Sequence, residues 1–113
     1  MPDAALLTGL LDSLKDPSLF VDAAHLIRYM NKAAVAHYKE GAALRGRSLL
    51  DCHNADSGRL IRDITAEFEV GRGEERLITD DAKHRVFMRA LRNADGRLPS
   101  YYERYEPPHI APA

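Results

Sequence analysis

The stretch GRSLLDCHNADSGRLI, residues 46–61, holds the only cysteine of the chain, Cys52, directly before His53. A thiolate and an imidazole are both metal ligands, and either can contact an organic ligand. Adjacent side chains point apart, so this pair does not close on one ion. The structural alternative makes Cys52 a small buried hydrophobe and His53 the residue that closes a turn onto the backbone. Either way the pair joins a short helical turn to a long helix, at the rim of whatever pocket the fold encloses. Cys52 and His53 are therefore candidate ligand contacts rather than a self-sufficient site.

Arg89 is the second candidate, and it depends on the pleat of its strand. If Phe87 and Leu91 face the helices, Arg89 shares their face. A buried guanidinium then requires an acceptor, such as the carboxylate of an anionic ligand. In the opposite pleat Val86, Met88 and Ala90 point inward and Arg89 is solvated. Hydrophobicity leans to the second pleat, but both remain open. Tyr29, on an early strand, is a further candidate contact. Tyr101, Tyr102 and Tyr105 read as packing on an edge strand or as a recognition surface.

Other arrangements fail sooner. Gly71-Arg72-Gly73 lacks the third glycine or the Gly-Lys-Ser of a phosphate loop. Asp80-Asp81 reads as a solvated turn. The histidines at 25, 37, 53, 84 and 109 have no metal-ligand spacing on a helix. Ser48 is in no nucleophile elbow. A catalytic alternative is a small α+β isomerase or dehydratase with a general acid and base in an apolar pocket, its residues Asp51, His53 and Arg89, but no acid–base pair stands at a readable spacing.

The bulk properties narrow the class. The chain has 113 residues, enough for one domain with a real core. Sixteen basic and seventeen acidic residues leave a formal charge of −1, no footprint for nucleic acid or an anionic membrane. A single cysteine excludes an internal disulfide and a multi-cysteine zinc site. No apolar run approaches the roughly 20 residues of a membrane span, and no signal peptide is legible. The expectation is a cytoplasmic protein.

Elements must then position the candidates. Leu6, Leu7, Leu10, Leu11 and Leu14 form one apolar stripe, which predicts an N-terminal amphipathic helix over residues 1–15. LFVD and LIRYMN read as two strands, the second with Ile27, Tyr29 and Asn31 on one side. Asn31 caps a helix over KAAVAHYKEG that Gly41 ends. Ser57 caps a longer helix whose stripe is Leu60, Ile61, Ile64 and Phe68, and Gly71-Arg72-Gly73 ends it. EERLITD, KHRVFMRALR and RLPSYYERYE follow as three strands, with a hairpin turn at Asn93–Gly96. Pro99 suggests that the last strand begins irregularly or lies near an edge. Residues 107–113 read as a disordered tail. The pattern is α+β: one five-stranded antiparallel sheet with helices packed on one face.

This order and punctuation resemble a PAS domain over residues 5–106. LLDSLKDPSLFVDAAHLIRYMNKAAVAHY resembles the family's opening helix, two strands and Ala-Ala helix. LRGRSLLD is similar to its G-x-x-L-x-D turn, and VFMRALRNADGR to its closing hairpin. His25 replaces the usual glycine of the first hairpin, and SYYERY replaces the usual small and β-branched residues of the last strand. The resemblance implies a sensory module over residues 16–106 that binds a small molecule or partner protein and relays a conformational change, in a two-component or transcription-regulating setting. It also implies an alternative in which His53 holds haem iron. The Leu6–Leu14 stripe is too wide to bury against one sheet and is expected to form a homodimer.

Overall fold

A computed structural model describes residues 3–52, 54–95 and 100–108. Asp3 caps the first helix, α1 (Ala4–Asp12), by accepting a hydrogen bond from Leu6 N at 2.7 Å. Strands β1 (Ser18–Asp22) and β2 (Ile27–Met30) form a hairpin. Helix α2 (Lys32–His37), two short 3-10 turns (Gly41–Leu44 and Leu49–Cys52) and helix α3 (Ala55–Glu69) follow. Strands β3 (Glu75–Asp80), β4 (Arg85–Leu91) and β5 (Ser100–Glu106) complete one antiparallel sheet in the order β2-β1-β5-β4-β3.

The helices cover one face, as the pattern predicts. Leu19, Val21, Ile27, Met30, Met88, Ala90 and Tyr101 of the sheet pack against Ala34, Leu44, Leu49, Ile61, Ile64 and Phe68. The amphipathic period of α3 explains its place, with Gly58, Ile61, Ile64, Thr65 and Phe68 on its buried stripe.

Several local expectations need correction. The last strand is not an edge strand, because β5 inserts between β1 and β4 and is central. α2 stops at His37, and Gly41, at φ +53°, opens a 3-10 turn instead of ending the helix. Asn54, not Ser57, caps α3: its side chain accepts from Ser57 N at 2.8 Å. Leu60 points outward and is 41% exposed. β2 does not alternate evenly. Phe20 pairs with Tyr29 and Val21 with Ile27, so Arg28 is an extra residue without a partner in the ladder. That bulge turns Ile27 to the core and Tyr29 to the other face. The expected turn at Gly96, Pro99 and tail residues 109–113 lie outside the described residues.

The first hairpin shows what His25 does in place of glycine. It sits at φ +67°, a left-handed conformation that costs a non-glycine residue roughly 1 kcal/mol. The Asp22 carboxylate holds the turn, accepting from Ala24 N at 2.9 Å and Leu26 N at 3.1 Å. The imidazole Nδ1 reaches the Tyr101 hydroxyl at 2.8 Å, across the sheet on β5. Glycine could not supply that bond.

Asn31 is fully buried and all its amide capacity is used. Its Oδ1 accepts from Ser18 N at 3.0 Å and Ala34 N at 2.9 Å, while its Nδ2 donates to Leu11 O and Asp16 O, both at 3.1 Å. One side chain thus joins α1, the connection after it, β1 and α2. Removing it would strand buried partners, each at about 1–3 kcal/mol. Asn31→Ala is expected to lower unfolding free energy by about 3 kcal/mol in urea titration. A loss under about 1 kcal/mol would mean that water replaces these bonds freely.

Candidate functional site

The pleat of β5 divides the molecule chemically. Tyr101, Glu103 and Tyr105 face the helices, while Tyr102, Arg104 and Glu106 face away. Both inward phenols are satisfied. Tyr101 meets His25, and the Tyr105 hydroxyl meets that of Tyr38, just past α2, at 2.6 Å. His37 packs edge-on and His84 at a tilt against Tyr105, each with ring centroids 4.8 Å away.

Glu103 differs. It stands between Leu19 of β1 and Met88 of β4, both buried, and is itself 2% exposed. Among the described residues its Oε2 has no hydrogen-bond partner. Burial pushes its carboxyl up to about 7. Burial also raises both neighbouring phenols. For Tyr105 the bond to Tyr38 works the other way, and the Glu103 charge adds to the rise for both.

Outside this row clefts open among the described residues of the helical layer. One, of about 300 Å³, is lined by Tyr38, Lys39, Glu40, Leu44, Arg47 and Asp51. Another, of about 370 Å³, lies between the second 3-10 turn and α3 and includes Asp51, Asn54, Arg59 and Arg62. Both adjoin the turn that ends at Cys52, where the sequence places the pocket rim. The Cys52 side chain and His53 lie outside the described residues, and the haem alternative with them. Among the described residues no cluster of three metal-ligating side chains occurs.

The other two candidates are not in the interior. Val86, Met88 and Ala90 are buried, so the second pleat holds and Arg89 faces outward with its side chain 45% exposed. The bulge in β2 sends Tyr29 to the same outer face. Register aligns them in one row across all five strands: Tyr29, Phe20, Tyr102, Arg89 and Glu75. Phe20 lies 6.2 Å from Tyr29 and 5.3 Å from Tyr102, ring to ring. The Tyr29 hydroxyl donates to Asp12 of α1 at 2.6 Å, and burial together with that bond raises the phenol to about 12. Arg89 lies 3.6 Å from Glu75, whose stronger partner is Arg104 at 2.5 Å. The bond from Arg104 holds Glu75 below the usual carboxylate range. Arg104 also bonds Glu106 at 3.0 Å and covers the Phe87 ring at 4.5 Å. Tyr29 and Arg89 are thus together, but on the face away from α2 and α3. Asp51 is on the helical side, so the sheet separates it from Arg89 and the acid–base arrangement considered above is not assembled.

Glu103 is what sequence reading missed. SYYERY offers alternating aromatic and charged residues, and a glutamate there reads as solvated. The signal lay in its spacing: Glu103 shares a pleat with Tyr101 and Tyr105, and burial follows once the strand is central.

Comparison with known proteins follows this geometry. A family model described as a PAS domain matches residues 7–99. Among solved structures, the C-terminal domain of a Streptococcus mutans protein superposes with TM-score 0.79 at 17% identity, covering 94% of this chain and 85% of that one. The PAS domain of Bordetella pertussis BvgS gives TM-score 0.71 at 13% identity, over 96% and 86%. A sensory box sensor histidine kinase from Vibrio cholerae gives 0.66 at 16% identity, over 94% and 92%. No curated protein matches the sequence.

The outer charge network is unequal, and substitution should show it. Arg89→Met is expected to change stability by no more than about 0.5 kcal/mol, as for an exposed ion pair. Arg104→Met is expected to cost about 1–2 kcal/mol, because it removes two closer carboxylate bonds and the cover over Phe87. Urea midpoints of the two variants beside wild type decide it. A larger loss at Arg89 would contradict the geometry.

Proposed function

The chain belongs to the PAS domain family, and from that premise we propose that it is a sensory module of a signalling protein. It binds a small molecule or a partner protein and relays a change of shape, without catalysis of its own. The ligand reading places a small molecule between the inner sheet face and the helical layer, near the clefts beside Tyr38 and Asp51. A switch of this kind works only if the bound species favours one of two conformations.

The observation that carries this reading is the double attachment of Asn31. The same amide accepts from Ala34 N in α2, on the sensing side, and donates to Leu11 O in α1. Tyr29 adds a second tie to α1 through Asp12. A displacement of α2 is therefore felt by α1 without passing through the core. The kinase named among the structural relatives is in keeping with a signalling setting.

The output half of the proposal is a homodimer through α1. No residue of α1 is fully buried, and Leu6, Leu7, Leu10 and Leu14 are 64%, 47%, 60% and 44% exposed. Leu11 is half-buried against the domain, so the other four leucines form the free stripe. Each leucine buried against a second copy contributes roughly 1.5–3 kcal/mol. Sedimentation equilibrium of the intact chain is expected to show a dimer. The double variant Leu6→Glu, Leu10→Glu is expected to sediment as a monomer with an unchanged melting temperature. A monomeric wild type at high micromolar concentration would refute the dimer. Native mass spectrometry of the freshly purified chain tests the ligand half: a bound mass released by denaturation is expected, and a bare chain would favour the partner-protein alternative.

A further inference from the structure

We propose that Glu103 is a proton-operated switch: the closed domain holds it as a neutral acid, and its ionisation opens the contact between the inner sheet face and α2 at the Tyr38–Tyr105 pair. This rests on the sensory reading only for its biological use; the switch itself follows from packing.

A carboxylate in a dry interior needs a cation or several donors, and without them the neutral acid is favoured. Glu103 is 2% exposed, and its Oε2 has no partner among the described residues. The buried layer on its side of the sheet is apolar or phenolic apart from Asn31 and Thr65. β1 and β2 contribute Leu19, Val21, Ile27 and Met30; β4 contributes Val86, Met88 and Ala90. α2 and the 3-10 turns contribute Ala34, Leu44 and Leu49; α3 contributes Ile61, Ile64 and Phe68. The titratable side chains on this face are Tyr101 and Tyr105 on its own strand, Tyr38 past α2, and Arg76 of β3, which lies beyond Met88 in the same row and is paired with Glu67 of α3 at 2.6 Å. His25 lies beyond Tyr101, while His37 and His84 pack at an angle against Tyr105. Among the described residues none of these histidines, and no lysine or arginine, offsets the burial of Glu103, which raises its carboxyl to about 7.

The route of opening is also visible. β5 is fixed by ladders on both sides and cannot move alone. α2 is a helix of only six residues. Tyr38, just past it, has two roles: it lines the 300 Å³ cleft and it bonds Tyr105. Tyr105 is two residues from Glu103 on the same face. Breaking the Tyr38–Tyr105 bond joins the cleft to the carboxyl and brings water toward it, together with Lys39 and with Arg47, which in the cleft is paired with Glu40 at 2.7 Å and stands beside Asp51. The proton leaves to solvent and the carboxylate gains hydration.

The linkage has a definite sign. A carboxyl raised in the folded state binds its proton more tightly there than in the unfolded chain, whose value is about 4.3. The resulting stability is complete below that unfolded value and is lost as pH rises through about 7. Within the window the folding constant falls by up to about tenfold per pH unit.

Urea unfolding of the intact chain and of Glu103→Gln, each at pH 5 and pH 8, tests this. The ratio of the wild-type to the variant folding constant is expected to fall at least about tenfold from pH 5 to pH 8. Hydrogen exchange, corrected for intrinsic rates, is expected to lose protection over residues 34–44 at pH 8 in wild type and not in Glu103→Gln. Parallel pH profiles for the two proteins would overturn the proposal. Should Glu103→Gln fail to fold, carbon-13 NMR of the wild-type carboxyl decides. A midpoint near 7 supports the switch, and a carboxyl already ionised at pH 5 overturns it. A small amine that co-purifies with wild type but not with Glu103→Gln would also overturn it, by making Glu103 a ligand anchor.

Discussion

The pleat of β5 constrains everything else in this domain. A strand bonded on both edges cannot slip without moving each side chain to the opposite face. Register therefore commits Tyr101, Glu103 and Tyr105 to the helices and Tyr102, Arg104 and Glu106 to the outside. The inner row borrows His25 from the first hairpin and Tyr38 from the end of α2. The outer row gathers Glu75 and Phe87 around Arg104. One six-residue alternation thus places a dry, acid-bearing interior behind a charged aromatic surface.

Hydrogen bonds join α1 to α2 around the β2 edge, where Asn31 leaves the strand. An amide is suited to this because it donates and accepts at once, so one buried side chain can serve two backbone donors and two carbonyls. An aspartate could cap α2 but could not donate to Leu11 and Asp16. The bulge at Arg28 contributes as well, because it delivers Tyr29 outward to Asp12.

Much of this was legible in the sequence. The order of elements, the single antiparallel sheet, the helical layer and the Asn31 cap follow from periodicity and turn chemistry. What was not legible has physical reasons. A bulge leaves no local mark, so LIRYMN reads as a regular strand and Tyr29 falls on the wrong side. Arg89 could not be assigned a face because VFMRALR is apolar on both. Asn54 and Ser57 are both good caps, and only the backbone decides between them. Glu103 was invisible because burial of a carboxyl depends on strand order, and strand order is set by contacts between segments about 80 residues apart. The resemblance to a PAS domain anticipated the fold, but it gave no hint of Glu103.

The central claim is that the interior closes around a neutral Glu103 and opens when that group ionises. Crystal structures of the chain at pH 5 and pH 8 test it most directly. The account predicts a dry Glu103 at pH 5, with the Tyr38 and Tyr105 hydroxyls within hydrogen-bonding distance. At pH 8 it predicts those hydroxyls apart, with water or a cation on the carboxylate. Identical, closed interiors at both pH values, or a cation already paired with Glu103 at pH 5, would contradict it.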